Sequence, residues 1–206
     1  MIGIIGKKVG MTSVFDDTGK SVACTLVQTG ENVVTEILTP EKHGYSAIQV
    51  AFDEKKEKNT SKAMLNHFKK ANTTPKRKVV EFRDAEGNFE LGTVLNLAEL
   101  LKEGDKVSVI GTAKGKGFQG VVKRHGFAGV GEATHGQHNR LRHPGSIGSN
   151  TYPAHVWKGK RMAGRTGNNR VKVENLKIMK VLPEQNLILV SGALPGSKNS
   201  YVIISK

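Results

Sequence analysis

Apolar and polar residues alternate in short stretches along most of this chain, except between residues 111 and 172. Alternation with a period of two predicts β-strands, because successive side chains of a strand point to opposite faces. Clusters of Gly, Pro, Asn and Asp separate the stretches and predict turns, among them residues 16–19 and 84–88. The apolar positions that predict strands are Val14 and Phe15; Val22, Cys24 and Leu26; residues 33–38; Ile48, Val50 and Phe52; Val79, Val80 and Phe82; Val107 and Val109; Val171 and Val173; Ile178 and Val181; residues 187–190; and residues 202–204.

Two short helices are predicted between the strands. Ser61 can cap the first helix, because a serine hydroxyl is able to accept a hydrogen bond from a free N–H group of the first turn. The apolar faces of the two helices would consist of Met64, Leu65 and Phe68, and of Leu97, Leu100 and Leu101. The charged run at residues 53–58 is interpreted as a solvated loop.

Many short strands with few helices are typical of a mainly β fold, here a small antiparallel β-barrel interrupted by a long Gly-rich basic extension. The last strands then have to pair with the first. We expect residues 1–125 and 165–206 to form one discontinuous globular domain, and residues 126–164 to form an extended loop. Two legs of about 20 residues at roughly 3.3 Å each would let the loop tip lie up to about 65 Å from its base.

The charge of the chain is concentrated in residues 111–172. They contain twelve Lys and Arg residues against one carboxylate, Glu132, and so carry +11 of the formal net charge of +14. They also contain 13 of the 24 glycines and few large apolar residues, so they cannot bury enough surface to offset their own ordering entropy. We expect a polyanionic partner to order this segment: nucleic acid first, an anionic membrane surface second.

The remaining composition points to the cytoplasm. The single cysteine, Cys24, excludes an intramolecular disulfide and, in an alternating apolar context, is expected in the core. No apolar run approaches the length of about 18 residues that a membrane span needs, and the start MIGIIGKKVGM lacks the apolar region of a signal peptide.

The sequence GKGFQG at residues 115–120 matches the glycine pattern of dinucleotide-binding folds. Such a fold also needs a helix after the glycines and an acid about 20 residues later to hold the ribose. Here the stretch after Gly120 stops at Gly126, and Arg140 occupies the position of the acid. We therefore predict no cofactor, and interpret the motif as a turn whose backbone can approach phosphates closely.

Five of the seven histidines lie at positions 125, 135, 138, 143 and 155. His135 and His138 have a spacing that metal ligands use, but no cysteine and almost no carboxylate is nearby to complete a site, so we predict no metal. The serines of HPGSIGSN at 143–150 lack the spacing of a nucleophile elbow, and no acid is placed to orient a histidine. The sequence thus predicts no catalytic residue and no enzyme.

Trp157 is the only tryptophan and stands among bases in VWKGKRM at 156–162. An aromatic side chain flanked by cations can stack on nucleic-acid bases. The more common fate of such a residue is packing, here against Val156 or Met162. Both interpretations stay open at this point.

Five separated stretches resemble one known family. They are MIGIIGKKVGMT at 1–12, GTAKGKGF at 111–118, ATHG at 133–136, PGSIG at 144–148 and KGKRMAG at 158–164. In this order they resemble the bacterial large-subunit ribosomal protein L-three family over nearly the whole chain. One position departs from the family pattern: some members carry a methylated glutamine after the Ser-Ile-Gly tip, where this chain has Ser149, so that modification is expected to be absent.

The resemblance implies a translation-protein-type β-barrel with an extension that runs through large-subunit ribosomal RNA toward the peptidyl-transferase centre. It also implies an early assembly role near the 3′ end of that RNA, beside the ribosomal proteins L-fourteen and L-nineteen, with no small-molecule substrate. The residues expected to bind ribosomal RNA are Lys7, Lys8, Lys114, Lys116, Lys123, Arg124, His135, His138, Arg140, Arg142, His143, Ser149, Asn150, His155, Trp157, Lys158, Lys160, Arg161, Arg165 and Arg170.

Two other functions stay open at this stage. A nucleotide-dependent enzyme that uses the glycine motif would bind a dye ligand or a cofactor. A free-standing basic RNA-binding maturation factor would leave the mature subunit, whereas a structural constituent would stay with it.

Overall fold

The computed structural model describes residues 3–16, 18–83, 87, 89–131, 135–136 and 138–206. Their contacts divide the chain into two compact units: the barrel unit, Met1–Ala113 with Arg170–Lys206, and the extension unit, Lys114–Asn169. The sequence-based boundaries at 125/126 and 164/165 stay a prediction. Some features named in the sequence analysis lie outside the described residues. They are parts of the predicted turns (Asp17; residues 84–86 and 88), parts of the family stretches (Met1, Ile2, Ala133 and Thr134), the acid Glu132 and the side chain of His138.

The described residues form mostly strands. These are β1 (Gly3–Phe15), β2 (Ser21–Gln28), β3 (Asn32–Leu38), β4 (Ala47–Glu54), β5 (Lys76–Arg83), β6 (Val94–Leu95), β7 (Lys106–Thr112), β8 (Gly117–Gln119), β9 (Gly164–Thr166), β10 (Arg170–Leu182), β11 (Leu187–Ser191) and β12 (Tyr201–Ser205). The helices are α1 (Pro40–His43), α2 (Lys62–Lys70), α3 (Leu97–Leu100) and α4 (Val121–His125), with single 3-10 turns at Glu57–Asn59, His138–Arg140 and Pro183–Gln185.

Six strands close into an antiparallel barrel in the order β1-β12-β7-β10-β11-β2. The last strand pairs with the first, with Ile203 opposite Ile5, and β12 also pairs with β7. Closure leaves no open sheet edge among these six strands. The predicted mainly β fold, the barrel and the pairing of last strand with first are confirmed.

The other strands before the extension form a separate sheet, in the order β5-β4-β3-β6. Strand β1 contributes side chains to the barrel core and to the core under the separate sheet, because its successive side chains point to opposite faces. Ile4 lies in the barrel core with Val107, Val109 and Ile178, whereas Ile5 packs in the second core with residues of β3, β4 and β5. Both isoleucines are at most 1% exposed, and burial of each stabilises the fold by roughly 1.5–3 kcal/mol.

A buried asparagine joins the two layers. The Asn32 side chain is 1% exposed. Its Oδ1 accepts a hydrogen bond from the Ile5 N–H at 2.9 Å, and its Nδ2 donates to the Ile5 carbonyl at 3.0 Å and to the Thr29 carbonyl at 2.8 Å. A buried amide with all these partners fixes β1 against the start of β3 without an unpaired polar group.

Two glycines of the first family stretch have a packing role. A Cβ atom at Gly3 would lie 2.3 Å from the Phe82 ring and 2.7 Å from the Ile204 carbonyl, and one at Gly6 would lie 2.4 Å from Val27 Cγ1. At Gly10 a Cβ atom would meet nothing within 4 Å. Strand β1 therefore needs glycine at the first two positions because neighbouring groups approach its backbone closely.

Strand β10 combines two stretches that the sequence predicted as separate strands. Its first half pairs with β7 and its second half with β11. The register with β7 shifts between Val173 and Leu176, and Asn175 there has a φ of 57°, a left-handed conformation that asparagine tolerates. A bulge of this kind bends a strand, so one chain segment can follow the curved barrel wall.

Three local predictions were wrong in part. In β2, Val27 rather than Leu26 enters the barrel core. The run at 53–58 is not all loop, because β4 continues through Glu54. Helix α2 begins after Ser61 as predicted, but the serine side chain makes no capping bond and Met64 is 40% exposed, so Phe68 is the fully buried residue of its face.

Cys24 is fully buried, as predicted, and burial raises the pKa of its thiol. Among the helices of the described residues, none has the length and apolar character needed to cross a membrane.

Candidate nucleic-acid interface

The extension unit begins and ends in a two-stranded sheet. Strands β8 and β9 pair antiparallel, with Phe118 opposite Arg165, and the Lys116 N–H donates to the Thr166 carbonyl at 2.9 Å. Gly167, with a φ of 76°, lets the two segments approach, since a Cβ atom there would lie 2.1 Å from the Lys114 carbonyl oxygen. The two ends of the extension unit are thus held side by side.

Helix α4 fixes the next part of the unit. Arg124 Nη1 donates to the Met162 carbonyl at 2.8 Å, and His125 Nε2 lies 3.0 Å from the same oxygen. The helix follows Gly120 directly, so the expectation that no helix follows the glycine motif was wrong. It is a single turn that ends at Gly126, and the middle of the motif is strand β8, not a turn.

The cations of the extension unit are exposed and have no ion-pair partner among the described residues. All ten of its Lys and Arg residues are exposed, and no ion pair within the described residues includes any of them. Among the side chains of these ten cations, Arg124 alone makes a hydrogen bond within the described part of the chain, the one to the Met162 carbonyl. The ten are Lys114, Lys116, Lys123, Arg124, Arg140, Arg142, Lys158, Lys160, Arg161 and Arg165.

The tip of the unit, residues 141–152, is exposed throughout. Its side chains bond to nearby backbone: Ser146 Oγ donates to the Gly148 carbonyl at 3.0 Å, and His143 Nε2 lies 3.1 Å from the Asn139 carbonyl. Ser149, Asn150 and His135, all predicted to bind RNA, are exposed as well. Such local bonds leave most of the surface of the tip to a partner.

Large aromatic side chains of the unit are also uncovered. Trp157 is 67% exposed, so it is not buried against Val156 or Met162, and its ring partner is His155, edge-on at 4.6 Å between centroids. Tyr152 and Phe118, which the sequence analysis missed, are 88% and 75% exposed. The signal that could have found them is the one used for Trp157, an aromatic residue within a basic segment. Exposed rings of this kind can stack on RNA bases.

Three predicted RNA-binding residues lie in the barrel unit instead. Arg170 is exposed at the start of β10, opposite Thr112 of β7. Lys7 is half-buried, with its Nζ 3.9 Å from Asp53 Oδ2. Lys8 is 8% exposed, and its Nζ donates to the carbonyls of Leu194 at 2.7 Å and Gly196 at 3.2 Å. The structure thus gives Lys8 a role in holding the loop before β12.

Replacing Lys8 by methionine is expected to lower the free energy of unfolding by about 2–3 kcal/mol. Methionine keeps the apolar stem but removes the charged donor from two buried carbonyls. Urea unfolding followed by circular dichroism measures the change, with Lys20→Met as the control, since Lys20 is exposed and is expected to change stability by less than about 0.5 kcal/mol. Equal stabilities of the two variants would contradict the assignment.

No group of three or more His, Cys, Asp or Glu side chains within the described residues could hold a metal ion. His135 is exposed, and the side chain of His138 lies outside the described residues. The prediction that no metal binds stays a prediction.

Comparison with known proteins identifies the family. The model of the family described as Ribosomal protein L3 matches residues 39–187. The Large ribosomal subunit protein uL3 of Salinibacter ruber is 55% identical over 204 residues, which cover 99% of this chain and 98% of that protein. The resemblance seen in the five sequence stretches is confirmed. This chain belongs to the ribosomal protein L3 family.

Proposed function

We propose that this protein is a structural constituent of the large ribosomal subunit that binds large-subunit ribosomal RNA directly and is not an enzyme. The family membership supports the place in the large subunit, since the similar protein of Salinibacter ruber is named as a large-subunit protein. The observation that carries RNA binding is the set of ten exposed cations of the extension unit, without an ion pair among the described residues.

The chemistry of RNA binding follows from these side chains. Exposed Lys and Arg neutralise phosphates, and Arg does so with two parallel hydrogen bonds. Glycines such as Gly126 and Gly129, with φ of 72° and 76°, allow turns that bring the backbone close to packed RNA helices. Trp157, Tyr152 and Phe118 add rings that stack on unpaired bases.

Finer features are proposed on the basis of the family. The extension unit reaches toward the peptidyl-transferase centre, and the protein joins the subunit early, near the 3′ end of its RNA. Its protein neighbours are L-fourteen and L-nineteen, and it acts in the cytoplasm, on ribosomes.

The test of RNA binding is its salt dependence. If about eight of the twelve cations of residues 111–172 contact phosphate, the plot of log K against log salt has a slope on the order of −6, at about −0.7 to −0.9 per contact. Arg161→Ala is expected to flatten the slope by roughly one unit, whereas Lys180→Ala, an exposed lysine of the barrel unit, leaves it unchanged. A slope near zero for the wild-type protein would rule out the proposed binding.

Cosedimentation in high salt separates a structural constituent from a maturation factor. A constituent stays with mature large subunits, whereas a maturation factor is found with precursors and is absent from the mature particle.

A further inference from the structure

Positive charge in the barrel unit is concentrated in one place. Residues 53–78 contain nine Lys and Arg residues and three acids, whereas the rest of the barrel unit contains 13 bases and 14 acids. From its sequence, the start of this stretch was interpreted as a solvated charge run. The structure brings its cations together around a surface cleft.

The cleft has a volume of about 560 Å³ and is lined by Lys55, Lys56, Lys58, Asn59 and Arg77, and we call it the basic cleft. Within the described residues, no carboxylate lies within ion-pair distance of Lys55, Lys56 or Lys58. Three ammonium groups without a partner at one cleft repel one another, and an anion bound between them removes that cost.

One acidic side chain of this stretch contacts a cation of the cleft, and the other two, within the described residues, do not. Asp53 accepts a hydrogen bond of 2.5 Å from the Tyr201 hydroxyl, lies 3.9 Å from Lys7 Nζ, and is also the ion-pair partner of Arg77. Glu54 lies 3.8 Å from the buried Lys76 ammonium. Glu57 is exposed and does not line the cleft. The cleft therefore keeps its positive character.

Arg77 is held in place at the cleft. Its Nε donates to the Glu54 carbonyl at 3.0 Å and lies 3.7 Å from Asp53 Oδ2. Those contacts use Nε, and within the described residues the two terminal nitrogens of the guanidinium make no hydrogen bond, so they can bind a ligand. A planar guanidinium fixed in this way is suited to bind two oxygens of one phosphate.

The backbone that carries the lysines is also ordered. The Lys55 N–H donates to the Pro75 carbonyl at 2.8 Å, and the Lys56 carbonyl accepts from the Asn59 N–H at 3.0 Å and from Thr60 Oγ1 at 3.2 Å. A ligand bound here has to order side chains but little backbone, which lowers the entropic cost of binding.

We propose that the basic cleft is a second RNA-binding site, in which Lys55, Lys56, Lys58 and Arg77 hold the phosphodiester backbone of ribosomal RNA independently of the extension unit. The proposal rests on the proposed function. Four cations around one cleft match a row of phosphates, and the exposed amide of Asn59 can donate to a phosphate or ribose oxygen. RNA is favoured over a small anion because its backbone offers several phosphates, enough for each of the four cations to contact one.

The experiment compares two full-length triple variants for binding to deproteinised large-subunit ribosomal RNA. The test variant carries Lys55→Gln, Lys56→Gln and Lys58→Gln; the control carries Lys42→Gln, Lys180→Gln and Lys198→Gln, three exposed lysines outside the cleft. The test variant is expected to flatten the slope of log K against log salt by about two units and to weaken binding on the order of 10²-fold at 0.1 M salt, at about 0.7–0.9 per contact. The control is expected to stay near wild type.

Lysine acetylation of the wild-type protein, read by mass spectrometry, provides a second measurement that needs no variant. RNA is expected to slow acetylation of Lys55, Lys56 and Lys58 several-fold and to leave the acetylation of Lys42, Lys180 and Lys198 unchanged.

Equal affinities of the two triple variants for RNA, or unprotected cleft lysines, would overturn the proposal while the salt slope of the wild type still supports RNA binding by the extension unit. Protection in the assembled subunit but not in the RNA complex would assign the cleft to an acidic protein and overturn it too. A wild-type slope near zero would overturn both proposals.

Discussion

Deletion of residues 143–154 is expected to leave the protein able to enter large subunits but to slow peptide-bond formation in the resulting particles. The deletion removes the exposed tip of the extension unit and leaves β8, β9 and α4, with their cations, unchanged. Loss of 12 residues shortens the two legs by up to roughly 20 Å in reach, at about 3.3 Å per residue. The measurement is the puromycin reactivity of particles that carry only the shortened protein, together with their protein composition.

A variant of the same length separates the effect of the length of the tip segment from the effect of its side chains. Replacing residues 143–154 by 12 glycine and serine residues keeps the length of the segment but removes His143, Ile147 and Tyr152. If reach alone matters, this variant has wild-type reactivity; if the tip makes specific contacts, it is as slow as the deletion. Normal reactivity of fully assembled deletion particles would show that the tip is dispensable, and failure of the shortened protein to enter particles would show that attachment depends on the tip.

Gly6→Ala is expected to lower the free energy of unfolding by about 2–3 kcal/mol, because the added methyl group would overlap Val27 in the barrel wall. Val27 is fully buried and Val27 Cγ1 would lie 2.4 Å from the new Cβ atom, with the Gln28 carbonyl at 3.0 Å, so neither neighbour can move without shifting β2. Urea unfolding of the full-length protein measures the loss.

Gly10→Ala is the control for this prediction. Gly10 lies in the same strand, and a Cβ atom there would meet nothing within 4 Å. We expect a change within about 0.5 kcal/mol for this variant. If both alanine variants were equally stable, the close approach at Gly6 would not be the reason for a glycine in the first family stretch.

The strands could be predicted from the sequence because they depend on local alternation. Cys24 and the 107–109 stretch were placed correctly in the core, and the need to bury the last strand predicted its pairing with the first. The division of the strands into a barrel and a separate sheet was not predicted, since it depends on which strands meet across the chain. Alternation says that Ile4 and Ile5 face opposite sides, but not that both sides are buried.

The sequence shows where the charged residues lie along the chain, but it does not show which group each charged side chain contacts. Lys8 looks like any other lysine of a basic stretch, and only the fold shows that its ammonium is bonded to two carbonyls. Lys55, Lys56 and Lys58 stand among acids in the sequence and were interpreted as a solvated run, yet in the fold Asp53 contacts Tyr201 and Arg77, and Glu54 contacts Lys76. The pairing of each charge, which decides whether it can bind a ligand, is a property of the fold.

The position of β12 between β1 and β7 has a consequence for synthesis of the protein. Tyr201–Ser205 is translated after every other strand of the barrel. Until it is available, β1 and β7 each keep an edge of unpaired N–H and C=O groups. A nascent chain interrupted before residue 201 therefore has all the cations of the extension unit while its barrel is still open, so on the proposed function the cations that bind RNA are made before the barrel can close.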